Sequence, residues 1–333
     1  MKKLSASLLF VLLALASQLA SAQTIRRVNN TGLTGANIYA DLTAAQTAAV
    51  NGDIIQVEPS STVYPGFTCS KQLTIVGTGY FLSENAPPAL QASSIMSTIG
   101  SVSFQAGSAG TTVSGLSSNT TWYINANNVT IQRCYIPGYI YVGYGGVTTG
   151  AVLRQNYFYG VQESSVSTNT LITNNILNGQ TSITGAGNTG EFSNNSVIGG
   201  GTVSLNAFTV RNNYFISTFT PTVNTSWSYN LFANSTLPTL GTQSNNTASV
   251  TQASVFNLTP AAYGQFDGWY KLKGAPNPAL GAGQNGVDVG ATGSGTGYGY
   301  HFGGLPAIPA IYQLNQSVTG NTLNVTVGTR SNN

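Results

Sequence analysis

One phrase recurs through the middle of the chain with variations. It reads Val152-Leu-Arg-Gln-Asn156-Tyr-Phe158, then Leu171-Ile-Thr-Asn-Asn175-Ile-Leu177, then Glu191-Phe-Ser-Asn-Asn195-Ser-Val197. Thr209-Val-Arg-Asn-Asn213-Tyr-Phe215 and Ser226-Trp-Ser-Tyr-Asn230-Leu-Phe232 follow, and Thr130-Ile-Gln-Arg-Cys134-Tyr-Ile136 precedes them with Cys for Asn. Aligned on the column 134, 156, 175, 195, 213 and 230, the steps are 22, 19, 20, 18 and 17 residues. Such a period is the mark of a stacked repeat.

The columns beside it carry the folding information. Three residues before stand Ile131, Leu153, Ile172, Phe192, Val210 and Trp227, and two after stand Ile136, Phe158, Leu177, Val197, Phe215 and Phe232. All are apolar, whereas two before stand Gln132, Arg154, Thr173, Ser193, Arg211 and Ser228. Alternation of this kind is strand periodicity. A strand this short cannot bury its apolar side alone, but copies stacked about 4.8 Å apart build a continuous core. A propeller blade needs about 40–50 residues, twice this step. The expectation is an all-β, single-stranded right-handed parallel β-helix. Asn156, Asn175, Asn195, Asn213 and Asn230 form its structural ladder, at the bend, where Asn tolerates left-handed backbone and can hydrogen-bond to its stacked neighbours.

The flanks divide the chain further. Lys2 and Lys3, the apolar run Leu8 to Leu15 and Ala20-Ser21-Ala22 read as a signal peptide over 1–22, cleaved after Ala22. This predicts a secreted or cell-envelope protein without membrane insertion after cleavage. Residues 23–51 read as an N-terminal cap, with Asp41 capping a short Ala-rich helix. The β-helix is expected over 52–290, losing its pattern after Asn234 in an end coil and cap. Residues 291–333 form a Gly/Pro-containing C-terminal segment with one strand at 323–327 and a frayed end.

Charge is scarce, at 6% of residues. Without Lys2 and Lys3, nine Lys and Arg face eight Asp and Glu, a balance near neutrality. That excludes the concentrated basic face that nucleic acid or an anionic membrane needs. The lone histidine, His301, has no carboxylate partner in the pattern and reads as a surface residue. Cys69 and Cys134 fall in distant coils and read as free thiols.

The N-terminal stretch Asp41 to Gly77, with its Gly52-Asp, Val57-Glu-Pro59 and Leu73-Thr-Ile-Val-Gly77, resembles the cap and first coil of the pectate-lyase-like superfamily. Ile172-Thr-Asn-Asn-Ile-Leu-Asn-Gly179 is similar to that superfamily's third strand and Asn turn, and Leu272 through Gly290 to its end coil. With Phe302-Gly-Gly and Ile308-Pro-Ala-Ile-Tyr, the chain looks like exported β-helix proteins of the Bacteroidetes. The resemblance implies the fold. For activity it implies little, because one fold hosts lyases, hydrolases and binding modules.

The catalytic patterns of such folds are hard to place here. Paired carboxylates must converge within about 5–10 Å, yet Glu163 and Glu191 are the only acids of the repeats and fall on different faces. No acidic cluster suits calcium, which enters only under a polysaccharide-lyase alternative. No catalytic residue, metal site or cofactor is assigned. Arg154 and Arg211 share the outward column three coils apart, roughly 14 Å, a spacing that suits an extended acidic sugar better than one bond. Tyr135, Tyr157 and Tyr214 follow the column and either stack on sugar rings or pack against neighbouring turns. The resulting expectation is a non-catalytic glycan-binding or surface structural module, with a lyase-like enzyme as the alternative. Asn175 and Asn195 should be buried and stacked, and Arg154 and Arg211 exposed on one face.

Overall fold

The computed structural model describes residues 23–85, 91–258, 266–293 and 299–331. The proposed signal segment lies outside these residues. The chain winds into a right-handed parallel β-solenoid of about 10 turns. One sheet of 12 strands runs its length in nearly consecutive order, from Ile38–Tyr39 and Ile25–Val28 to Ser226–Ser228 and Thr242–Ser244. Every repeat strand pairs in parallel and in register, Gln132 on Arg154, Arg154 on Thr173, Thr173 on Ser193 and Ser193 on Arg211. The helix Leu42–Ala48 covers the first coil, and Asp41 accepts the Ala44 N–H at 2.8 Å as its N-cap. Buried Asp53 ties the start down by an ion pair to Arg26 at 2.9 Å.

The two apolar columns lie inside the coil: Ile131, Leu153, Ile172, Phe192, Val210 and Trp227 on one wall, and Ile136, Phe158, Leu177, Val197, Phe215 and Phe232 on another, all buried. Phe192, Phe215 and Phe232 stack at 5.1–6.1 Å between ring centroids. The Asn column stands between the walls and is fully buried.

The division of labour at the bend differs from the sequence expectation. The left-handed residue is the one before the column: Arg133, Gln155, Asn174, Asn194, Asn212 and Tyr229, with φ between 51° and 58°. The ladder Asn itself is thereby turned inward. Its Oδ1 accepts the backbone N–H and, where that residue is Asn, an Nδ2–H of the preceding column residue. Its Nδ2 donates to a backbone carbonyl of the preceding coil and to the next Oδ1. Asn246 continues the ladder one coil beyond Asn230, with two bonds of 3.0 Å. The repeat was lost there because Gln243, exposed on the last coil, replaces the inward apolar residue.

A second apolar core lies outside the coil. Tyr157, Ile176, Tyr214 and Leu231, each following the ladder by one residue, pack with Val255, Phe256, Tyr270, Val289 and Tyr300 of the C-terminal region. Two segments, residues 284–293 and 299–305, line the bend edge in the order opposite to the winding. Gln284 N–H and Gly290 N–H bond Asn212, Asn194 Nδ2 bonds Asp288 O, and Asn174 Nδ2 bonds Ala291 O and Gly293 O. Gln155 Nε2 then bonds Gly299 O, and Arg133 Nη1 bonds Leu305 O. The left-handed column therefore serves as a row of docking points for this strap. The last described element is an antiparallel hairpin, Ala310–Thr319 with Thr322–Arg330, so residues 329 and 330 of the expected frayed end are paired, while 332 and 333 lie outside the described residues.

Candidate functional site

The bend edge, where the sequence placed its candidates, is covered. Tyr157 and Tyr214 are buried, Tyr157 against Phe81 and Tyr270 and Tyr214 against Phe256 with its hydroxyl on Val250 O at 3.0 Å. Tyr135 is partly buried against Tyr80 and Phe81. Tyr157 and Tyr214 therefore present no open ring face, while Tyr135 stays part-exposed beside a small cleft with Pro137 and Tyr159. Arg154 and Arg211 do share one register column, but neither is the exposed side chain expected. Arg154 donates to Gln132 Oε1 at 2.7 Å, and Arg211 pairs with Glu191 at 2.7 Å and reaches Gln284 of the strap.

Beside the strap's far end lies a buried polar clasp. Asp267 is fully buried and accepts from Gly303 N–H at 2.7 Å, Asn85 Nδ2 at 3.1 Å and Tyr300 OH at 3.1 Å. The Tyr300 hydroxyl also meets Tyr80 OH at 2.6 Å. Burial raises the Asp267 pKa to about 6, the hydrogen bonds only partly opposing it. His301 Nε2 stands 3.4 Å from Arg133 Nη2. Sequence reasoning missed this clasp because its members are up to 220 residues apart.

Every acid of the chain has a structural partner. Asp41 caps a helix, Asp53 pairs with Arg26, Glu58 with Arg27, and Glu191 with Arg211. Glu163 accepts from the Thr184 and Gly185 amides and Asn188, fixing one turn. Glu84 binds Ser83, Asp288 accepts Gly281 N–H, and Asp267 is the clasp. Among the described residues no group of three or more His, Cys, Asp or Glu side chains is placed to hold a metal ion. Cys69 and Cys134 are buried free thiols. No described helix is long and apolar enough to cross a membrane.

The open surface with chemical character is the outward face of a second, 14-stranded sheet, to which Phe67–Cys69, Val102–Phe104, Trp122–Ile124, Tyr135–Val142 and Tyr157–Glu163 belong. Register places Thr68, Ser103, Tyr123, Tyr141, Gln162, Ser182, Ser204 and Thr220 in one outward column without a charge. Around its middle five tyrosines form one ring network. Tyr123 stacks on Tyr141 at 5.6 Å and meets Tyr144 at 4.6 Å, while Tyr139 contacts Tyr141 and, at 4.9 Å, Tyr159. Tyr144 and Tyr159 are exposed and the other three half-buried. A shallow groove continues from Tyr123 and Tyr144 past Ser103 and Thr68 to Thr43 of the capping helix. The period-two Tyr139-Ile-Tyr141 was the sequence signal for this face.

No protein-family model, no curated protein and no solved structure matches the chain.

Proposed function

We propose that the protein is an exported, non-catalytic module that binds an extended, uncharged polysaccharide across the tyrosine face of its second sheet. The carrying observation is the five-tyrosine network on an outward column without a charge, beside a shallow groove. Aromatic rings with a hydroxyl offer an apolar face and a polar edge to one ligand. The Thr, Ser and Gln side chains along the column supply neutral hydrogen-bond partners. Solenoid coils stack at a regular step, so such a surface suits a repeating polymer better than a compact molecule. The engagement of all eight acids in structural contacts supports binding over hydrolysis or elimination. The motifs at Gly52-Asp53, Leu73–Gly77 and Ile172–Gly179 support placing the chain with exported Bacteroidetes β-helix proteins of the pectate-lyase-like superfamily, as part of the same proposal.

Affinity electrophoresis through gels holding neutral or uronate polysaccharides tests the reading. Retardation by a neutral polymer should be lost in Tyr123→Ala/Tyr141→Ala. Retardation by uronate polymers alone, or release of unsaturated product, would sink it.

A further inference from the structure

Among the described residues the C-terminal hairpin pairs with no other strand. Its register sets Leu314 opposite Val327, Gln316 opposite Val325 and Val318 opposite Leu323. Paired residues share a face, so Leu314, Val318, Leu323, Val325 and Val327 form a mainly apolar side, with Gln316 its one polar member. Gln313, Asn315, Ser317 and Thr319 form the polar one with Thr322, Asn324 and Thr326. The apolar side is uncovered: Val318 is 72% and Leu323 60% exposed. A lone two-stranded hairpin is marginal in water, and an apolar one with open edges invites association.

The same apolar surface continues at the hairpin's base into a cleft of about 380 Å³. Leu82, Ile95, Leu305, Pro306, Ile308 and Leu314 wall it. The charged side chain at its rim, Glu58, is already held by Arg27 and Asn29. One hairpin therefore carries an apolar tip and an apolar socket at its opposite ends. Two copies laid face to face and running oppositely bring each tip to the other's socket, an isologous and closed arrangement. The hairpin's one charged residue, Arg330, lies at its base over the Tyr312 ring, and from Ala310 to Thr329 there is no charge, so the two facing surfaces do not repel and no basic cluster favours an anionic membrane. The hairpin faces alone, about 30 Å by 10 Å, fall short of the about 800 Å² per partner of a standard interface. The two socket contacts are what such a dimer needs in addition.

We propose that the protein dimerises about a two-fold axis through this hairpin, with Val318 and Leu323 of one copy seated against Ile308 and Leu314 of the other. Sedimentation velocity of the mature chain from about 1 to 100 µM should show a monomer–dimer equilibrium. Val318→Asp and Leu323→Asp should remain monomeric with an unchanged circular dichroism spectrum. Polarity is tested by mixing Val318→Cys with Ile308→Cys under oxidising conditions. The mixture should form an intermolecular disulfide faster than either variant alone, the native cysteines being buried. A protein monomeric at 100 µM, or a dimer indifferent to Val318→Asp, overturns the proposal. So does faster tip-to-tip cross-linking of Val318→Cys alone. A monomer that pellets with uncharged phosphatidylcholine vesicles assigns the face to lipid and overturns it too.

Discussion

Asn175 gives two hydrogen bonds to one atom of Asn195: its backbone N–H and its Nδ2–H both end on that Oδ1, at 3.0 Å each. Asn195 in turn donates to Ile172 O at 2.9 Å and to Asn213 Oδ1 at 3.1 Å. Asn195→Ala leaves two donors of Asn175 and the Ile172 carbonyl buried without these partners. At about 1–3 kcal/mol for each orphaned group, the loss should be at least about 3 kcal/mol in urea unfolding. Asn195→Asp keeps the accepted bonds but turns the donor into an acceptor facing two oxygens, and should be no milder. A variant within about 0.5 kcal/mol of the parent would remove the ladder from the account of stability.

Asn174 separates backbone from strap. It sits at φ 53° and gives Nδ2 to Ala291 O and Gly293 O. Asn174→Gly loses the strap bonds but fits the backbone; Asn174→Ala loses the bonds and strains it by about 1–2 kcal/mol. Thermal unfolding should rank parent, Gly variant and Ala variant in falling order. Equal stability of the two variants would refute the left-handed requirement.

Asp267 makes stability depend on pH with an uncommon sign. Its folded pKa of about 6 lies above the ordinary aspartate value of 3.8, so the native state holds the proton more tightly. The contribution is complete below about pH 3.8 and lost as pH rises through about 6, a change of roughly 3 kcal/mol. His301, whose pKa is lowered by burial and Arg133, acts oppositely below pH 6.5. The difference between parent and Asp267→Asn isolates the carboxyl. Subtracting the two urea midpoint curves from pH 4 to 7 should give that slope, and parallel curves would contradict it.

The thiols offer a clock for opening. Burial pushes Cys134 up to about 12 and raises Cys69 as well, so neither is a ready thiolate. Ellman's reagent should label two thiols per chain only after denaturation. Rapid labelling of the native protein would mean that the coil opens locally.

On the tyrosine face, Tyr123 and Tyr141 are stacked partners, so their contributions should not be independent. Either single Ala variant should weaken neutral-polymer binding about tenfold, about 1.4 kcal/mol. The double variant should fall short of a hundredfold. Titration calorimetry on soluble oligosaccharides checks both figures.

The coil was legible because its signal is local and repeated. Leu153, Ile172 and Phe192 are apolar for the same reason in successive coils, and Asn recurs because one side chain meets four hydrogen-bonding demands. The bend was half legible: Asn174-Asn175 offers two residues able to adopt left-handed backbone, and only the three-dimensional register shows which does. The strap left little trace, because Asn174 meets it through backbone carbonyls of Ala291 and Gly293, which any residue supplies. Tyr157 and Tyr159 show the same limit for the candidate site. Both point away from the coil, yet the first lies under the C-terminal region and the second faces solvent. What covers a side chain is decided by a segment more than 100 residues away.

The returning segments also change how the molecule can come apart. Coils that touch only their neighbours can unzip from either end, each step nearly independent. Here the segments 284–293 and 299–305 are fastened at Asn212, Asn194, Asn174, Gln155 and Arg133 in turn. Their docking row exists only after those coils have stacked, so they close last and must release before any of them can fray. A linear array thereby becomes a cooperative unit, in which the end of the chain guards the middle.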